Sequence, residues 1–151
     1  MTWLVLFAAL AAGCSTPPRV LPERSYPTGN EAHVQALQPD MTHDQVRQAV
    51  GTEPVPNPAD SKHPFSNPHL ELVFEAPGER RVELWLYLTE LRTHPACPEL
   101  TWSELPVAFE DGRLVARSWS DVSARLEDWG RSADWYRKLR YPSFGRCGGR
   151  R

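Results

Sequence analysis

His94 and Cys97 stand three residues apart, and an imidazole and a thiolate at that spacing are half of a zinc site. A structural zinc needs four ligands, and no second cluster accompanies the pair, so no metal is expected. His43 and Asp44 place a base beside a carboxylate. They fall in what reads as the first turn of a helix, where Asp44 favours the helix dipole and His43 faces solvent, so no catalytic dyad is expected. Glu71 and Glu75 share one side of an alternating segment, the pattern of a solvated sheet surface and not of an opposed glycosidase acid pair. His63, His69 and His94 each adjoin a proline, without a Gly-x-Ser-x-Gly or His-Glu-x-x-His context, and read as surface histidines. The expectation is a chain that is not an enzyme and holds no cofactor.

Two groups of residues suit binding. Trp85 and Tyr87 lie on one side of the segment RVELWLYL, with Val82, Leu84, Leu86 and Leu88 on the other. Two readings are open for the aromatic pair: cover by C-terminal helices carrying Trp129 or Trp135, or an exposed partner-binding patch. The terminus RKLRYPSFGRCGGRR has six basic residues and no acidic one. Arg137, Lys138, Arg140 and Arg146 are its membrane-surface candidates, since each cation near anionic head groups adds about 1 kcal/mol; the alternative is a solvated tail.

Elements must position these groups. In MTHDQVRQAVG, Thr42 and Gln45 have the spacing of a capping box, Met41 and Val46 form a staple across it, and Gly51 stops the helix. Asn30 is placed to cap a shorter helix carrying Val34 and Leu37 and ended by Pro39. Past the proline-rich passage 54 to 68 the period becomes two. Residues 70 to 76 and 81 to 88 read as strands joined at Pro77-Gly78. Asp111-Gly112 is a hairpin turn that sets Phe109 against Leu114 and Val107 against Ala116, and Pro106 marks its first strand as an edge or an irregular start. Ser120 is positioned to cap a helix bearing Val122, Leu126 and Trp129 and ended at Gly130, with a last short helix holding Trp135 and Leu139. The fold class is α+β: a short N-terminal helix pair on a small antiparallel sheet, then a C-terminal helix or helices.

With 17 Lys and Arg against 19 Asp and Glu, the chain has no general drive toward nucleic acid, and 151 residues suit one domain. Residues 3 to 12 are wholly apolar, too short to span a hydrocarbon core of roughly 30 Å yet suited to the centre of a secretory signal. The run ends as FAALAAGC, which resembles a bacterial lipobox. That resemblance implies a signal peptide over 1–13 and lipidation of Cys14; the other reading is an ordinary signal peptide with an incidental cysteine. Ser15 after Cys14, in lipoproteins of this kind, implies the outer membrane. Residues 14–29, with four prolines and no apolar period, read as a tether that can reach roughly 50 Å at about 3.1 Å per residue. Cys97 and Cys147 then remain as an even pair for an oxidising periplasm, and a disulfide between them is expected.

Asp40-Met41-Thr42-His43-Asp44-Gln45-Val46, followed by Val50-Gly51-Thr52-Glu53-Pro54, resembles the signature of the SmpA/OmlA, or BamE-like, family of outer-membrane lipoproteins. Trp85-Leu86-Tyr87 and Phe109-Glu110-Asp111-Gly112-Arg113-Leu114 fit the later part of the same pattern, so the resemblance runs from about residue 30 to 119. It implies a single BamE-like α+β domain over 30–151. It further implies a lipid-anchored, periplasmic-facing, non-enzymatic accessory that supports envelope assembly or integrity by binding other proteins, and lipid as well; the charge balance and the lone His94–Cys97 pair set nucleic acid and metal aside as partners. The alternative is a periplasmic inhibitor or ligand-binding module on the same scaffold.

Overall fold

Local chemistry accounts for the helix at His43–Val50. Thr42 is extended, its hydroxyl accepts from the Gln45 amide, and the Gln45 side chain accepts from the Thr42 amide at 2.8 Å. Two orphan donors of the first turn are thereby satisfied, as the capping-box spacing predicts. Gly51, with φ +93°, takes the chain out of the helix.

The computed structural model describes residues 24–94 and 97–140. The elements in chain order are β1 (Arg24–Pro27), α1 (Asn30–Ala36), α2 (His43–Val50), β2 (Leu70–Ala76), β3 (Arg80–His94), β4 (Cys97–Glu110), β5 (Arg113–Ala116), α3 (Trp119–Ala124) and α4 (Ala133–Arg140). The architecture is α+β, with all strand pairs antiparallel. Long strands β3 and β4 form the centre, β5 borders β4, and β2 and β1 lie end to end along the other side of β3. The expectation of a tether running to residue 29 is corrected here, because Arg24 to Pro27 pair with Thr93 to Glu90 as a strand.

Apolar residues stand on both faces of β3, and both faces are covered. Val82, Leu84 and Leu86 pack with Ala108, Val122 and Trp129, and α4 adds Trp135 and Leu139. Trp85 and Tyr87, on the opposite face, pack with Val107 and Phe109 beneath Val34 and Leu37 at α1 and Val46 and Val50 of α2. Each fully buried Val or Leu side chain among them gains about 1.5–3 kcal/mol from burial. A third cluster, Val55, Leu88 and Leu91 with Tyr26, Phe65 and Trp102, closes the end of the sheet near β1.

Three local expectations are adjusted, and that of an edge at Pro106 is met. Asn30 does not cap α1: the cap position is Gly29, at φ +85°, and Asn30 is the first helical residue. Ser118, not Ser120, caps α3, accepting from the Asp121 amide at 3.1 Å. Phe109 does lie opposite Leu114, yet a bulge after Ala108 sets Ala108, and not Val107, against Ala116. Pro106 sits within β4 opposite Leu86, and β5 pairs only with residues 108 to 110, so β4 has a neighbour on one side alone there.

Candidate functional site

A cavity forms where β1, the start of α1, the segment after α2 and the far end of β3 meet. Thr28 donates its hydroxyl to the Leu88 carbonyl at 2.5 Å, and Asn30 Nδ2 donates to the same oxygen at 2.8 Å and to Asn67 Oδ1 at 3.0 Å. Asn67 Nδ2 in turn donates to the Gly51 carbonyl at 3.3 Å. This amide pair ties α1, the end of α2 and β3 together, and it spends its hydrogen bonds inside the protein.

Above that floor is a cleft of about 570 Å³. Tyr26, Val50, Val55 and Leu91 supply apolar wall, and Pro27, Pro54, Pro56 and Pro58 supply rigid wall that lacks backbone N–H donors. Ser25 donates to Glu90 across the β1 and β3 pair, holding the strand that carries Tyr26. Besides the Tyr26 phenol, the ionisable side chains lining the cleft are His33 and Glu53, both exposed. Volume and lining fit an apolar guest held by shape, with little provision for a reacting centre.

Trp85 and Tyr87 lie elsewhere. They are 2% and 0% exposed, so neither presents a surface to a partner, and α1 and α2 cover them instead of the C-terminal helices. Arg47 stacks over the Trp85 ring at 4.5 Å and pairs with Glu71 at 3.4 Å. Tyr87 Oη and Trp85 Nε1 are both buried without a hydrogen-bond partner. Burial pushes the Tyr87 hydroxyl up to about 12; Arg47 pulls it down and Glu71 pushes it up by smaller amounts. His43 is not solvent-facing: its ring centroid lies 4.2 Å from that of Phe109 and 5.1 Å from that of Trp85, with Nε2 3.5 Å from Glu83. Its ring is half-buried and packs against the edge of the core.

Of the other histidines, His63 is exposed and bonds Asp60 at 2.6 Å. His69 is half-buried, against the surface reading, 3.7 Å from Glu104 and edge-on to Phe65 and Trp102. Burial pushes His69 down and Glu104 up, the latter opposed by a hydrogen bond with Trp102, so each is drawn toward its neutral form. Such a pair is what acid–base sites are built from, but neither residue lines the cleft. No group of three or more His, Cys, Asp or Glu among the described residues is arranged to hold a metal ion.

Within α4, Arg137 and Lys138 both pair with Asp134, at 3.8 and 2.8 Å, and Arg140 bonds the Tyr136 hydroxyl at 2.9 Å. Cys14, Arg146 and Cys147 lie outside the described residues. Cys97 opens β4, and of the expected bridge to Cys147 only that backbone position is described. The structure thus does not gather the expected site residues in one place. The cleft escaped sequence reasoning because contacts such as Asn30 to Asn67 join residues 37 apart; the one visible signal was the density of prolines from 54 to 68. Compared with known proteins, the chain finds no matching family model, no matching curated protein and no matching solved structure.

Proposed function

We propose that this chain is a lipid-anchored, periplasmic-facing outer-membrane lipoprotein that acts as a non-enzymatic, protein-binding accessory in envelope assembly or integrity. In this reading it is built as a BamE-like helix pair on an antiparallel sheet. Its binding site is the proline-walled cleft, and the occupant is an apolar segment of an envelope protein. The single observation that carries the site is the apolar cleft of about 570 Å³ over a floor whose polar groups are already satisfied. An enzyme would instead be expected to aim unspent polar groups into its cavity. β1 lies in the cleft wall and is the first described element, which supports a site beside the proposed tether. A second reading, a small-molecule-binding module, is favoured by the cleft volume, which falls among those of ligand pockets.

The test combines anchoring with site-specific photo-crosslinking in intact membranes. Cys14→Ser should release the protein from the membrane fraction or leave its leader uncleaved. A photo-reactive residue at Glu53 should capture a partner protein that one at Glu127 does not, and Pro56→Arg should abolish the capture. A soluble wild type lacking an acyl group on its mature N-terminus rejects the lipoprotein reading. Equal capture from both positions rejects the cleft, and a small compound retained in native mass spectrometry without protein capture selects the second reading.

A further inference from the structure

β2 is joined to the sheet on one side only, by its pairing with Arg80 to Leu86 of β3. No described strand pairs along its other side. In an antiparallel strand the backbone groups of alternate residues point away from a single neighbour, so part of this seven-residue edge is a row of free donors and acceptors. Edges of this kind accept an added strand, and the side chains beside them select it.

Those side chains form two different rows. Glu71 and Glu75, exposed, stand on the α2 side with Val73 between them, itself 56% exposed. Leu70, 39% exposed, and the half-buried Leu72 and Phe74 stand on the α3 and α4 side. Glu71 has Arg47 at 3.4 Å, whereas no ion pair is formed by Glu75 among the described residues. A second copy of β2, laid antiparallel in full overlap about Val73, would set Glu71 against Glu75 twice. Like charges directly opposite one another destabilise a strand pair, so the edge is protected against its own kind.

We propose that β2 receives an extended segment of a partner protein with Lys or Arg at positions i and i+4, apolar residues at i+1 and i+3, and a β-branched residue at i+2. The cations meet Glu71 and Glu75, the β-branched residue meets Val73, and the apolar pair extends the row of Leu72 and Phe74. This surface is separate from the cleft and does not rest on its occupancy.

The experiment titrates the full chain with the peptide acetyl-Lys-Val-Thr-Val-Lys-amide, using acetyl-Glu-Val-Thr-Val-Glu-amide as control, and follows backbone amide exchange. At low salt the basic peptide should slow exchange within Leu70–Ala76 and bind about five- to tenfold more tightly than the acidic one. The double variant Glu71→Lys, Glu75→Lys should reverse that preference while keeping its circular dichroism spectrum, since both positions are exposed. Equal binding of the two peptides overturns the proposal, as does protection confined to residues outside β2. Concentration-dependent dimerisation that protects the same amides without peptide would identify a second copy as the occupant and also overturn it.

Discussion

Replacing Tyr87 by Phe should make the protein more stable, although the residue is fully buried at the centre of one sheet face. The hydroxyl is out of water and has no hydrogen-bond partner. Leaving such a group unpaired costs about 1–3 kcal/mol, and the substitution removes that cost while keeping the ring that packs with Val107 and the helices. The oxygen leaves a void of roughly 10–15 Å³, which at about 24 cal/mol per Å³ subtracts about 0.3 kcal/mol. The net expectation is a gain of about 0.7–2.7 kcal/mol, read as a higher urea midpoint with an unchanged slope. Alkali provides a second reading. Tyr87 is held at about 12 in the fold against an ordinary value of 10.0, so above pH 10 the unfolded chain releases this proton first. Wild-type stability therefore falls as pH rises from 10 toward 12, and the Phe variant escapes that part of the fall, so its advantage grows with alkalinity. A loss of stability at neutral pH in Tyr87→Phe, or a constant difference across the alkaline range, would refute the reasoning.

Glu110 collects three donors: Trp129 Nε1 at 2.6 Å, Arg80 Nη1 at 3.3 Å and Arg125 Nη1 at 3.4 Å. Glu110→Ala should therefore cost about 2–4 kcal/mol in urea unfolding, because it leaves the buried Trp129 nitrogen unpaired and separates two guanidinium groups from their shared acceptor. Glu104→Gln is expected to stabilise at pH 7, where the buried carboxylate is charged at a cost, and the gain should vanish below the ordinary value of 4.5, where both states of the wild type are protonated. His69 acts with the opposite sign, its contribution being lost as pH falls below 6.5; a Glu104→Gln gain that persists in acid would contradict this assignment.

What the sequence made legible was local. Thr42 with Gln45, the alternation across 70 to 88 and the Asp111-Gly112 turn depend on residues within a few positions of one another, and each forms. Where partners are remote, the pattern was silent. Nothing near Ser25 or Tyr26 marks a strand, because its register comes from residues 90 to 93. Alternation puts Trp85 and Tyr87 on one side of β3 as found, but the C-terminal helices expected to cover them lie on the other side. Val122 and Trp129 pack on the leucine row, and α1 and α2 cover the aromatic side. A signal did exist: residues 84 to 88 are apolar without interruption, the pattern of a strand buried on both faces. The cleft had no comparable signature, since its wall is assembled from four separate stretches of chain.

β1 has a mechanical consequence. It is a four-residue strand at the side of the sheet, and Tyr26 and Pro27, two and three residues beyond its first residue, are cleft wall. A pull on the chain ahead of Arg24 reaches that wall before it reaches the paired core of β3 and β4. Tension would load the four paired residues of β1 before the long ribbon, and peeling β1 from β3 would take Tyr26 and Pro27 out of the wall. On the proposed mooring at Cys14, β1 is thus the described element that would meet a pull from the membrane side first, and the cleft wall shares its fate.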